Sequence, residues 1–131
     1  MTIWRGNDVG DLERAILDTL WANSEPLSVR DALRQIRRRP PLAYTTVLTV
    51  LDRLHEKGLV HRHKQGRAFL YRPALTKAEW LGQRAARVLA SENREGPAVL
   101  AAFLDSAERA DPKIVNELAQ LIAARRRDAG Q

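Results

Sequence analysis

The residues able to do chemistry in this chain are concentrated near its middle. Tyr44, Thr45, Thr46 and Thr49 offer four hydroxyls, Arg53 adds a guanidinium, and Asp52 is the sole acid among residues 44–53. No serine-centred nucleophile motif, glycine-rich phosphate loop or spaced carboxylate pair accompanies them. Hydroxyls and a guanidinium are instead suited to hydrogen-bonding phosphate oxygens and the edges of bases. A second group, His63, Lys64 and Arg67, is basic and suits phosphate alone.

The element that must carry the first group is a helix over about 43–57. Val47, Val50, Leu51 and Leu54 fall at i, i+3, i+4 and i+7, one apolar stripe of a 3.6-residue period, and Gly58 ends the run. Thr45 and Thr49 share the opposite face. Their hydroxyls can bond bases and their methyls can meet a thymine methyl, as can Leu48, expected on the same exposed side. Tyr44, Thr45 and Thr46 occupy the first turn, where backbone N–H groups and the helix dipole favour phosphate. Arg53 is expected to hold phosphate. Plainer roles exist for each: Thr46 can cap, Arg53 can pair with Glu56 or Asp52, Lys64 can be solvated, and the whole polar face can simply be wet.

The remaining elements follow in order. A helix is expected from Asp8 or Asp11 to about Ala22 with Leu12, Ile16 and Leu20 as its stripe, after a short arm holding Trp4 and Arg5. Leu27-Ser28-Val29 is a brief link. Ser28 and Asp31 form a capping-box pair opening a second helix to about Arg37 that buries Val29, Leu33 and Ile36, and Arg37-Arg38-Arg39-Pro40-Pro41 stops it with more phosphate-seeking charge. Beyond Gly58, Leu59–Lys64 and Arg67–Pro73 read as two strands turned at Gln65-Gly66, a basic wing over about 61–72. Thr76 and Glu79 cap a helix to about Ala90. Further helices run over 97–106 and 111–127, with residues 128–131 frayed.

Composition sets outer bounds. The 131 residues are 44% hydrophobic and 29% charged, with a formal net charge of +6. Residues 1–75 hold 13 Lys+Arg against 8 Asp+Glu and the rest 9 against 8, so the excess sits in the first part, as a polyanionic partner would require. The absence of cysteine excludes disulfides, thiol catalysis and thiolate metal sites. His61 and His63 point to one side of a strand but lack a third ligand, so no metal or other cofactor is expected, and the chain is not read as an enzyme. With no signal peptide and no membrane-length apolar run, a cytoplasmic location without membrane insertion is expected.

Helix, link, helix, helix and hairpin is the order of a winged helix-turn-helix, in which the third helix enters the major groove of double-stranded DNA and the hairpin lies along its backbone. The fold class expected is therefore mainly α with a small β-hairpin: a winged-helix DNA-binding domain over 1–75 and a three-helix dimerisation region over 76–131. Leu81, Val88, Leu89, Leu100, Phe103, Leu104, Leu118, Leu121 and Ile122 are more apolar surface than three short helices cover alone, so a core shared between two chains is expected; packing on their own winged helix is the alternative. A regulator released by a directly bound small effector and a winged-helix protein adaptor also stay open.

The run from Leu12 to Tyr71 resembles the penicillinase-repressor (BlaI/MecI) family. The likeness is carried by Leu20-Trp21, Tyr44-Thr45-Thr46-Val47, Thr49-Val50-Leu51-Asp52-Arg53-Leu54, Glu56-Lys57-Gly58-Leu59-Val60 and Phe69-Leu70-Tyr71, and it continues more weakly through the C-terminal helices. The resemblance implies a homodimeric repressor on a palindromic operator, with a dimer built from the C-terminal helices. It also implies release when a membrane sensor protease system triggers cleavage in the C-terminal domain. In well-known members the cut bond joins Asn to Phe within a motif like Val99–Leu104; here Ala102 precedes Phe103. Relatives that sense copper carry C-terminal cysteines, which this chain lacks.

Overall fold

The computed structural model describes residues 10–36, 41–91 and 96–130. The elements in order are α1 (Asp11–Trp21), α2 (Val29–Gln35), α3 (Tyr44–Glu56), β1 (Val60–Gln65), β2 (Ala68–Pro73), α4 (Lys77–Ser91), α5 (Pro97–Ala110) and α6 (Pro112–Ala129). They form two units, residues 1–81 and 82–131. The division falls inside α4, later than the boundary expected between 75 and 76. The reason is Trp80: this first-turn residue of α4 is buried in the first unit, its ring 5.5 Å from that of Trp21 and capped by the Arg14 guanidinium at 4.8 Å.

The first unit is a three-helix cluster closed by a hairpin. Ile16, Leu17 and Leu20 of α1, Val29 and Ala32 of α2, and Val47, Val50, Leu51 and Leu54 of α3 meet Val60 and Tyr71 of the hairpin in one core. α3 buries the stripe its spacing predicted. In α2 the deepest residue is Ala32, while Leu33 and Ile36 pack only part-buried at the edge. A small side chain there lets α2 approach its neighbours closely, which a search for large apolar residues overlooks.

Local chemistry sets most boundaries. Ser28 Oγ accepts from the Asp31 N–H and the Asp31 carboxylate accepts from the Ser28 N–H, so the expected capping box opens α2. α2 ends at Gln35 rather than Arg37, since Ile36 is already extended. Arg37, Arg38 and Arg39 lie outside the described residues, as does Asp8. α1 begins at Asp11 after Gly10, without a side-chain cap. At the end of α3 the Gly58 N–H bonds His55 O and the Leu59 N–H bonds Leu54 O, with Gly58 at φ +77°. This paired closure needs a left-handed residue, which glycine adopts without strain.

β1 and β2 are antiparallel, with Gln65 paired to Ala68 and Val60 to Pro73. The turn is therefore Gly66-Arg67, one residue past the expected Gln65-Gly66, with Gly66 at φ +64° and Arg67 at negative φ, the glycine-first order of a type II′ turn. Leu27 adds one bridge to the edge of the hairpin through two backbone bonds with Tyr71, of 2.7 and 2.9 Å. The hairpin is thus tied to the chain between α1 and α2.

In the second unit α5 and α6 are joined through Asp111 alone. Residues before proline are driven to extended backbone, and Asp111 sits at φ −161°, ψ 106°, with its carboxylate accepting from the Lys113 N–H. Nothing breaks α5 before that point, so it runs to Ala110 instead of Ser106, and α6 continues through Asp128 and Ala129, which were expected to fray. The Thr76–Glu79 capping box that starts α4 is formed. No helix among the described residues is long and apolar enough to cross a membrane.

Candidate nucleic-acid interface

α3 presents its polar face to solvent. Thr45, Thr46, Thr49 and Arg53 are exposed and line one open depression with Leu12 and Val50. Tyr44, at the first position of α3, is 44% exposed and lies 5.9 Å beneath the guanidinium of Arg30, an exposed residue of α2 that the sequence reading did not single out. Arg30 carries no motif of its own, and only the packing of α2 on α3 brings it to this edge.

Within this face the threonines differ. Thr49 Oγ1 donates to the carbonyl oxygen of Thr45 at 2.8 Å. Its hydroxyl hydrogen is committed to the helix, so toward an incoming group Thr49 offers lone pairs and a methyl. Leu48 does not share the face of Thr45 and Thr49 as expected. It is part-buried against the core and lines a separate cleft with Tyr44, Ala68, Phe69 and Tyr71. The cause is the hairpin, which covers the flank of α3 on which Leu48 stands.

The wing carries His63, Lys64 and Arg67, all exposed. Neighbouring strand residues alternate in side. Lys64 therefore shares a side with Arg62 and with their partners Phe69 and Tyr71, whereas His61 and His63 take the other side with Leu70 and Arg72. The three wing residues do not form one cluster: Lys64 lies on the Phe69 side, His63 on the reverse, and Arg67 in the turn. Among the described residues no group of three or more His, Cys, Asp or Glu is placed to hold a metal ion.

Two cations of the basic stretch are engaged within the protein. Lys57 Nζ bonds both carboxylate oxygens of the buried Glu13, at 2.9 and 3.2 Å, and so fixes the end of α3 to α1. Arg62 donates to Asp52 Oδ1 at 3.0 Å and its guanidinium sits 4.6 Å from the Phe69 ring. Burial pushes the Tyr71 phenol above its usual value.

The penicillinase-repressor family model matches residues 9–124. The chain belongs to the penicillinase-repressor family. A transcriptional regulator, BlaI of Mycobacterium tuberculosis (strain CDC 1551 / Oshkosh), is 40% identical over 102 aligned positions, taking in 67% of this chain and 74% of the relative. The penicillinase repressor of Bacillus licheniformis is 25% identical over 73 positions, 56% of each chain. Among solved structures, the DNA-binding domain of the repressor BlaI aligns with 57% of this chain and 90% of its own, at 24% identity and a TM-score of 0.48. Membership of this family makes the protein a transcriptional repressor rather than an enzyme, and its own order of three helices and a hairpin is that of a winged helix.

The expected interchain residues lie mainly in the second unit. Leu100, Phe103, Leu104, Leu121 and Ile122 are 37–59% exposed, Val88 is more so, and Leu118 is part-buried. Leu81, at the end of the first unit, is exposed. Among the described residues of 82–131, only Ala107 is buried.

Proposed function

We propose that this repressor binds a palindromic operator as a homodimer, reading each half-site with α3 and holding the flanking backbone with its wing. The observation that carries the reading is the depression on α3. It gathers three threonines and Arg53 on an exposed face whose opposite side is wholly built into the core. In this reading Thr45 and Thr49 meet base edges. Tyr44, Thr46 and Arg53 meet phosphate, with Arg30 beside Tyr44, and Lys64, Arg67 and His63 meet the backbone along the wing. Leu48 supports Tyr44 from the cleft behind rather than touching a base.

The homodimer is supported by the second unit, whose large apolar residues stay in solvent in a single chain. A surface of this kind on a small helical unit marks an interface. Two chains related by a two-fold axis read two half-sites about one helical turn apart, which raises specificity without enlarging either domain. Release by proteolysis has less support: Ala102 stands where well-known members carry the Asn of the cut bond, and the Ala102–Phe103 bond lies inside α5.

The test is fluorescence anisotropy on the palindromic DNA upstream of the chain's own gene, at several salt concentrations. The chains compared are wild type, Thr49→Ala and Lys64→Ala. Thr49→Ala should lose about 1 kcal/mol or more of discrimination between operator and altered sequences. Lys64→Ala should weaken all sequences alike and reduce the salt slope by about 1. An adaptor would show no DNA affinity even at low salt, and that result overturns the reading.

A further inference from the structure

Asp52 is an anomaly in the proposed interface. It is a half-exposed carboxylate on the helix that is to approach a polyanion, one residue from Arg53. The structure pairs it with Arg62, at 3.0 Å, and Arg62 in turn lies over Phe69. Arg62 is on β1 and Phe69 on β2, and both stand on the side of the hairpin that carries the buried Tyr71. One guanidinium therefore bonds the recognition helix through its N–H groups and contacts both strands of the wing, by its own backbone and by its planar face. Arginine alone among the cations can do both, since lysine has no planar face to stack.

We infer that Arg62 is a positioning residue for DNA binding: with Asp52 it sets the wing against α3, so that Lys64, two residues further along the same side, reaches the backbone of the half-site that α3 reads. Arg62 does this without itself meeting DNA, because its charge is turned to Asp52. The pair is too exposed to matter much for fold stability, so its effect belongs in binding. The inference rests on the DNA-binding reading above.

The consequence runs against simple charge counting. Removing the negative charge of Asp52 should strengthen DNA binding if Asp52 acts only by repulsion. If it holds Arg62, Asp52→Ala should weaken binding by about tenfold, and Arg62→Ala should do the same. Lys64→Ala, costly in the wild type, should then cost little more in either background, because a wing tip no longer set against α3 by Arg62 does not place that lysine. Arg62→Lys should restore only part of the loss.

The experiment is anisotropy on the operator for the single variants and for Asp52→Ala/Lys64→Ala and Arg62→Ala/Lys64→Ala, over a salt series. Urea unfolding of each variant establishes that it folds. Non-additive doubles with a salt slope no shallower than that of the single variants support the inference. Additive doubles, or tighter binding by Asp52→Ala, overturn it while leaving DNA binding intact. If Arg62→Ala fails to fold, the Asp52→Ala pair decides alone. Failure of the wild type to bind DNA at low salt overturns the underlying reading instead.

Discussion

Lys57→Met tests how α3 is held at its C-terminal end. Glu13 is 3% exposed, and both its oxygens accept from one ammonium, that of Lys57, which keeps 25% of its side chain in solvent. The two ends of this pair are therefore unequal. Removing the lysine strands a carboxylate inside the α1–α3 contact. Removing the glutamate leaves an ammonium on a flexible stem that can turn outward to water. Breaking a fully buried pair costs roughly 3–5 kcal/mol. Lys57 is partly solvated already, which lowers the interaction lost, so Lys57→Met is expected to cost about 2–3 kcal/mol.

The same reasoning fixes the companions. Glu13→Leu should cost about 1 kcal/mol or less, and Glu13→Leu/Lys57→Met should return to within about 1 kcal/mol of wild type, because the double variant has no charge left to desolvate. The assay is urea unfolding followed by tryptophan fluorescence, with the adjacent Trp21 and Trp80 reporting from the same unit. At an m-value near 1.5 kcal/mol/M, the Lys57→Met midpoint should fall by roughly 1–2 M. A Lys57→Met chain within about 0.5 kcal/mol of wild type would refute the reasoning, as would single variants of equal cost.

Three further outcomes follow from the structure. Trp80→Ala should lower stability of the first unit by about 3–5 kcal/mol in the same unfolding assay, since it empties a buried indole site beside Trp21. Leu121→Glu alters a residue 59% exposed in one chain, so it should leave helix content unchanged by circular dichroism yet shift the sedimenting species from dimer to monomer. The Asp31 carboxyl is held below its ordinary value of 3.8, first by the Ser28 hydroxyl and then by the Ser28 backbone N–H. A depressed carboxyl stabilises the fold above its unfolded value and loses that effect as pH falls through the folded one. The gap in urea midpoint between wild type and Asp31→Asn should therefore be constant from pH 5 to 7 and shrink as pH drops below 3.8.

What could be read from the sequence was what neighbours along the chain decide. The stripe of α3, the Ser28–Asp31 and Thr76–Glu79 capping boxes, the prolines opening α5 and α6 and the glycine of the hairpin turn all depend on residues within a few positions of one another. What could not be read was decided across the fold. Glu13 and Lys57 are 44 residues apart and have no pattern linking them. Leu48 looked exposed on a helical projection because such a projection contains no hairpin. Arg62 looked like one more cation of the wing until the register turned it toward Asp52. The polar face of α3 was legible as a face, whereas the depression shared by Thr45, Thr49 and Arg53 required Leu12 of α1 to form its wall.

Between residues 53 and 73 the sequence holds six Lys+Arg and one acid, Glu56. In the folded unit Lys57 is matched by Glu13 and Arg62 by Asp52, both acids from outside that stretch. Arg53, Lys64, Arg67 and Arg72 remain exposed and form no ion pair among the described residues. The charge offered to a polyanion is thus smaller than composition implies, and it is spread over α3, the turn and both sides of the wing. Each phosphate neutralised contributes about −0.9 to the slope of log affinity against log salt. The four cations proposed to meet phosphate on each chain, Arg30, Arg53, Lys64 and Arg67, correspond to a slope of about −3.6, and two chains on one operator to about −7. Four such contacts among the described residues give one winged helix a modest electrostatic term at physiological salt. A second copy joined through the exposed residues of α5 and α6 doubles the electrostatic term and adds a second set of base contacts. In the proposed dimer, the sparse charge of the first unit and the open apolar face of the second are therefore complementary requirements of one operator-binding assembly.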